Sequence, residues 1–260
     1  MENQQQIIKN VSLLIEKKKY LDARDIMLNF LKNSQSTRIG NQFYFTLYLI
    51  FDGLKEPKNA KKYLEKCFKI NPNNYIVLNN LANIFLKEGN IFKAEKYYLK
   101  SINLKDDYLL AIVNLAILYQ NLGRLEESKK FYLKAIELSP KRISIYFNLS
   151  RIDNNFITSE KIDYLSDLMK NENKENSEMS YGYFLLAEHA RKNKNYNLEI
   201  DYLKKANNHS FNSMLNANKQ TLHYWKNIIP KKYNNFNFKN ENKRSELANF
   251  KPIFIVGLPR

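Results

Sequence analysis

The sequence is poor in glycine and proline, with six residues of each in 260. Turn-dense β sandwiches and barrels use many such residues, so this composition argues against both fold classes. A single cysteine, Cys67, excludes an intramolecular disulfide and a cysteine-based metal cluster. The three histidines, His189, His209 and His223, lack the spacing of metal ligands. We therefore predict no metal site, and we recognise no catalytic residues.

Targeting and membrane segments are also missing. The first residues, MENQQQIIKN, do not combine a basic segment with the apolar stretch of a signal peptide. No window is apolar over the length of a membrane span. Together with the low cysteine content, these absences predict a cytoplasmic protein without a membrane partner.

Positive charge is present in excess, at +16 for pH 7. Residues 191–260 carry fourteen Lys and Arg against four Asp and Glu, so most of the excess lies in the last quarter of the chain. Such a charge attracts anions, including nucleic acids, but does not by itself identify a partner. Because no known nucleic-acid-binding motif is present, we expect no nucleic-acid partner.

Two adjacent segments of 34 residues align without a gap. Residues 75–108 read YIVLNNLANIFLKEGNIFKAEKYYLKSINLKDDY, and residues 109–142 read LLAIVNLAILYQNLGRLEESKKFYLKAIELSPKR. The aligned pairs include Leu81 with Leu115, Ala82 with Ala116, Phe85 with Tyr119, Gly89 with Gly123 and Tyr98 with Tyr132. This order of large, small, aromatic and turn residues resembles the tetratricopeptide repeat.

The resemblance implies that each repeat is a pair of antiparallel helices. Gly89 and Gly123 fall in the turn within a pair, where a left-handed backbone favours glycine. Pro140 falls where the second helix should end. Small residues are expected where the helices approach most closely, at Ala82, Ala94, Ala116 and Ser128.

Weaker copies flank this pair. We predict an all-α fold, a right-handed solenoid of about six helical hairpins over residues 1–213. Residues 214–249 are predicted to form a terminal helix and a basic linker. The clearest repeats are 41–74, 75–108 and 109–142, and degenerate copies occupy 4–33, 143–176 and 180–213.

The last residues carry a second resemblance. Residues 252–260 read PIFIVGLPR, an apolar run typical of a buried strand, followed by a tight turn. This segment resembles the start of the phosphosulfate-binding loop of sulfotransferases. The order of the chain is similar to that of bacterial tetratricopeptide-repeat sulfotransferases. The resemblance implies that residues 250–260 are a strand stub of a missing α/β sulfotransferase domain, truncated within its loop.

In that family the sulfuryl donor is 3′-phosphoadenylyl sulfate (PAPS). The resemblance implies that Gly257, Pro259 and Arg260 contribute to its binding in the complete enzyme. The chain itself is expected to bind no cofactor. Our main interpretation is a protein- or peptide-binding scaffold that forms the N-terminal part of a PAPS-dependent sulfotransferase and is not catalytic as given. The alternative is a stand-alone tetratricopeptide adaptor with no sulfotransferase link.

A row of amides is the candidate binding feature of the repeats. Asn80, Asn114 and Asn148 recur every 34 residues on the first helix of each hairpin, and Asn79 and Asn83 flank the row. Each amide offers a donor and an acceptor, so the row suits an extended peptide backbone in the concave groove. The alternative is that the asparagines reflect only an asparagine-rich composition.

Overall fold

The computed structural model of the protein describes residues 4–33, 39–171 and 174–228. These residues form helices joined by turns and loops and contain no β-strand, which confirms the predicted all-α fold. The predicted strand at 250–260 lies outside the described residues. In chain order, the helices are α1 Gln4–Glu16, α2 Tyr20–Asn33, α3 Asn41–Gly53, α4 Pro57–Ile70, α5 Tyr75–Lys87, α6 Ile91–Leu104, α7 Leu109–Asn121, α8 Leu125–Leu138, α9 Ile143–Ser150, α10 Ser159–Asn171, α11 Asn176–Lys192, α12 Tyr196–Ser213 and α13 Leu215–His223, followed by a π-helical turn at Tyr224–Ile228.

From α1 to α8, consecutive helices pair into hairpins that stack in chain order, whereas α9 contacts α11 more extensively than it contacts α10. The contacts within a hairpin are most extensive for α3 with α4, α5 with α6 and α7 with α8. The second helix of each of these hairpins also contacts the first helix of the next. Each hairpin is therefore stabilised mainly by its immediate neighbours, as in other helical repeat arrays.

Five of the hairpin turns contain a residue with a left-handed backbone. Gly89 and Gly123 have φ angles of 76° and 73°, which confirms the predicted glycine turns. Lys18, Lys55 and Lys194 adopt similar angles of 56°, 58° and 58° without being glycine. A side chain at such a position costs conformational energy, so the tight connection between the helices must hold these lysines in place.

Asparagines at the helix starts accept hydrogen bonds from backbone N–H groups of the first turn, which have no partner within the helix. The Asn74 side-chain oxygen accepts hydrogen bonds from the backbone nitrogens of Ile76 and Val77, at 3.0 and 3.2 Å. The Asn90 side-chain oxygen accepts one from the Lys93 nitrogen at 3.1 Å. These caps fix where α5 and α6 begin, and hence the register of the central repeat.

Small residues occupy buried positions between the paired helices. Ala82, Ala94, Ala116 and Ser128 are completely or almost completely buried, as their repeat positions predict. The Ser128 hydroxyl donates a hydrogen bond to the Ala116 carbonyl oxygen at 2.8 Å and so joins α8 to α7. A larger side chain at any of these positions would push the helix axes apart.

The buried side chains form three core clusters along α1 to α11. The first core cluster belongs mainly to α1–α5, the second to α5–α9 and the third to α9–α11. Their representative members are Phe43, Leu47 and Leu64 in the first, Leu115, Tyr119 and Tyr132 in the second, and Ile143, Leu165 and Leu185 in the third.

The single cysteine belongs to the first core cluster. Cys67 has no exposed surface, and its Sγ donates to the Asn41 carbonyl oxygen at 3.5 Å. Burial raises the pKa of its thiol to about 12. Cys67 is therefore a packing residue, as a small apolar side chain at this repeat position would be.

The repeat pattern weakens where α9 ends early. α9 has only 8 residues, and α10 begins at Ser159 after an irregular connection. The Lys129 ammonium contacts Asp153 of this connection at 2.6 Å, and this contact holds the pKa of the Asp153 carboxyl below its usual value. The ion pair attaches the connection to α8 of the preceding hairpin.

The chain divides into two compact units, Met1–His209 and Ser210–Arg260. The first contains α1 to α11 and most of α12. In the second, the Asn218 side-chain nitrogen donates to the Phe211 carbonyl oxygen at 2.8 Å, which joins α13 to the end of α12. No helix in the described ranges has the length and apolar character needed to cross a membrane.

Candidate functional site

Four polar side chains of neighbouring helices meet in an amide cluster, which consists of Asn79, Asn83, Asn114 and Tyr98. The Asn114 side-chain nitrogen, on α7, donates to the side-chain oxygens of Asn79 at 3.0 Å and Asn83 at 3.3 Å, both on α5. The Tyr98 hydroxyl, on α6, donates to the same Asn83 oxygen at 2.5 Å. The cluster therefore links two successive hairpins through hydrogen bonds.

Burial differs within the amide cluster. Asn79 is 3% exposed and Tyr98 is 1% exposed, whereas Asn83 and Asn114 are half-buried. Burial raises the pKa of Tyr98 to about 12, so its hydroxyl remains a hydrogen-bond donor at neutral pH. The half-buried asparagines are the members of the cluster that a ligand could reach.

The other two asparagines of the predicted row behave differently. The Asn80 side-chain nitrogen donates to the Ile76 carbonyl oxygen of its own helix at 2.9 Å. Asn148 is half-buried, and its side chain makes no hydrogen bond within the described part of the chain. The three residues of the row thus keep different amounts of bonding capacity, and Asn148 keeps the most. The peptide-binding role of the row remains a prediction.

A second polar group joins the same two hairpins. The Arg124 guanidinium contacts the carboxylates of Glu95, at 2.8 Å, and Glu127, and it lies 4.1 Å from the centroid of the Tyr119 ring. The Tyr119 hydroxyl donates to Glu95 at 2.9 Å. The hydrogen bonds from Arg124 hold the pKa of the Glu127 carboxyl below its usual value. All four side chains have partners, so this group is best explained as structural.

Sequence reasoning missed the role of Tyr98. Its repeat position predicts an aromatic side chain that fills the space between helices, and it does so. The hydroxyl adds a hydrogen bond to Asn83 that the pattern does not reveal. The available signal was the choice of tyrosine instead of phenylalanine at a buried position, since a buried hydroxyl normally has a partner.

Two further predictions concern the donor-binding residues and metal ions. Gly257, Pro259 and Arg260, predicted to bind the sulfuryl donor, lie outside the described residues. In the ranges 4–33, 39–171 and 174–228, no group of three or more His, Cys, Asp or Glu side chains is arranged to hold a metal ion. The amide cluster and the surface around it are therefore the candidate site.

Two family profiles described as tetratricopeptide repeat match the chain. One matches residues 42–74 and 110–142, and the other matches residues 63–96. These segments are tetratricopeptide repeats. The matched residues lie within helices α3 to α8 and their connections, which form the regular part of the tetratricopeptide array.

Solved structures resemble the tetratricopeptide array in fold. PilF of Pseudomonas aeruginosa is 15% identical and has a TM-score of 0.59, covering 76% of this chain and 88% of its own. PilW, a widely conserved type IV pilus biogenesis factor, is 13% identical with a TM-score of 0.58, covering 76% of this chain and 90% of its own. A MamA RS-1 double mutant is 14% identical with a TM-score of 0.52, covering 65% and 95%. Identities this low support a shared fold only.

A comparison with curated protein sequences gave no significant match. The matches to the tetratricopeptide array provide no support for the sulfotransferase resemblance.

Proposed function

We propose that the chain is a tetratricopeptide scaffold that binds a segment of a partner protein on the first helices of its repeats. The observation that carries this proposal is the amide row, which leaves Asn148 and the oxygen atoms of Asn80 and Asn114 without partners in the described residues. Stacked hairpins present such positions at a regular spacing along one surface. These atoms can pair with the main chain of a bound peptide.

The repeats favour one form of this proposal, an adaptor with no link to sulfotransferases. The family matches and the similar structures concern helical repeats. An adaptor needs only a stable array and an accessible binding surface, and it needs no residue of the α/β domain.

The test uses a peptide selected against the chain from a displayed library of short random peptides. We expect Asn80→Ala, Asn114→Ala and Asn148→Ala together to weaken its binding, because each lost neutral hydrogen bond costs about 0.5–1.5 kcal/mol. Fluorescence polarisation with the labelled peptide measures the change. Helical circular dichroism should remain the same.

Two single variants make the test sharper. Asn148→Ala removes a side chain without an internal partner in the described residues, so any weakening reports lost ligand contact. Asn121→Ala removes an exposed asparagine at the end of α7 and is the matched control. Equal affinity of the wild type, the triple variant and this control for the peptide would show that the row reflects only the asparagine-rich composition of the chain.

We keep a sulfotransferase link as a second candidate, because residues 252–260 carry the resemblance to the phosphosulfate-binding loop. Calorimetry with PAPS tests this link. The N–H groups of a helix start after the loop are needed to hold the phosphosulfate, so we expect no saturable binding by residues 252–260 alone. A chain extended by the codons after Arg260 should bind, and Arg260→Ala should remove most of that binding. Tight binding by the given chain, or none by the extended one, would contradict the candidate.

A further inference from the structure

The first helices of the three regular repeats are almost free of charge. α3, α5 and α7 have 13 residues each, and Asp52 and Lys87 are their only charged residues. By contrast, α4, α6 and α8 have 14 residues each and carry six, four and six charged residues. Since 26% of the whole chain is charged, the depletion is specific to the first helices.

The two exceptions neutralise each other. The Lys87 ammonium lies 3.8 Å from a carboxylate oxygen of Asp52, so α3 and α5 contact each other through this pair. Both residues lie in the last turns of their helices. The three helices therefore offer a ligand no net charge.

Accessible side chains on these helices form a surface that we call the neutral face. Leu49 is 40% exposed and Leu110 is 48% exposed, and the other members are half-buried. On α7 the members follow the spacing i, i+3, i+4 and i+7, which places them on one side of the helix. The neutral face consists of Leu49, Ile76, Asn80, Leu110, Val113, Asn114 and Ile117.

The amide cluster makes the neutral face continuous. The hydrogen bonds from Asn114 to Asn79 and Asn83 join α7 directly to α5. These bonds also leave the side-chain oxygen of Asn114 as an acceptor. Apolar side chains and amide oxygens thus alternate over two neighbouring helices.

A charged ligand group would gain little on this surface. It would lose water without meeting an opposite charge, which is unfavourable. An apolar side chain of a ligand would instead remove Leu110, Val113 and Ile117 from water, which is favourable. Main-chain N–H groups of the same ligand could donate to the free amide oxygens of Asn80 and Asn114.

We propose that the neutral face binds an uncharged protein segment with apolar side chains, and not an acidic or basic one. This inference rests on the proposed function, peptide binding by the array, and names the chemistry of the partner. It differs from what the total charge of +16 suggests, which is an acidic partner.

Lysines on the second helices define the competing possibility. α4 and α6 carry eight lysines between them, including Lys62 and Lys96, which are exposed. An acidic segment would be attracted to these helices, and its binding would weaken steeply with salt. Salt dependence and the position of sensitive residues therefore distinguish the two partners.

The experiment selects peptides from a displayed random library against the full chain and sequences them. We expect peptides without net charge and rich in apolar residues. Their affinity, measured by fluorescence polarisation, should change less than about twofold between roughly 50 and 500 mM NaCl, because no ion pairs form.

Charge on the neutral face should weaken this binding strongly. We expect Leu110→Glu to lower the affinity for the selected peptides by about tenfold or more relative to Leu110→Gln. Glutamine has the size of glutamate but no charge, so the comparison isolates the effect of charge. Lys96→Glu on α6 should leave the affinity unchanged. Because Leu110 and Lys96 are exposed, none of these substitutions should alter the helical content.

Selection of acidic peptides that dissociate in high salt and are lost with Lys96→Glu would overturn the inference but retain peptide binding as the function. Equal affinities for Leu110→Glu and Leu110→Gln would also overturn it. If no peptide binds above background, the proposed function fails, and the inference fails with it.

Discussion

Ala116→Trp should lower the free energy of unfolding by about 1–3 kcal/mol or more, because it overpacks a fully buried contact between α7 and α8. Ala116 has no exposed surface, and its carbonyl oxygen accepts the hydrogen bond from Ser128. An indole fits here only if α7 and α8 separate, which also breaks that bond. Thermal unfolding followed by circular dichroism measures the loss.

The matched control places the same side chain on the same helix. Leu110 is 48% exposed, so Leu110→Trp adds an indole without disturbing a packed contact. Its free energy of unfolding should change by no more than about 0.5 kcal/mol. Identical melting temperatures for the two tryptophan variants would contradict the packing of the repeat.

Phe43→Ala should lower the free energy of unfolding by about 3–5 kcal/mol, the usual loss for a buried phenylalanine. Phe43 is fully buried in the first core cluster, with its ring centroid 5.3 Å from that of Phe30 and 6.4 Å from that of Tyr44. Removing the ring leaves a cavity that the helices cannot fill without moving. Urea unfolding measures the difference.

Phe92→Ala is the control, because Phe92 on α6 is 79% exposed and should contribute little. Amide hydrogen exchange adds a spatial test. Since each hairpin depends on its neighbours, Phe43→Ala should speed exchange in α1 to α4 more than in α7 and α8. Equal acceleration of exchange along the whole array would indicate that the array unfolds as one cooperative unit. It would contradict the expectation that the three core clusters differ in their dependence on Phe43.

The repeat register could be predicted from the sequence because it depends on local spacing. Residues 75–108 and 109–142 match position by position, and Gly89 and Gly123 mark the turns within them. The left-handed lysines could not be predicted in this way. Lys18, Lys55 and Lys194 lack the glycine signal, and only the surrounding hairpins impose their backbone angles.

The candidate site was less predictable than the fold. Periodicity located Asn80, Asn114 and Asn148 at one repeat position. It did not reveal that the Asn114 side chain turns toward Asn79 and Asn83 of the preceding hairpin. That choice depends on side-chain rotamers and on partners more than 30 residues away, which a single repeat does not encode. The shortened α9 likewise shows in the sequence only as a loss of pattern.

The buried thiol of Cys67 makes local opening of the array measurable by chemical labelling. A maleimide reacts with the exposed thiolate, and in the folded chain Cys67 is neither exposed nor ionised at neutral pH. Labelling therefore requires that α3 and α4 separate. The rate of labelling then measures how often this hairpin opens. Because the chain has one cysteine, the signal comes from this hairpin alone.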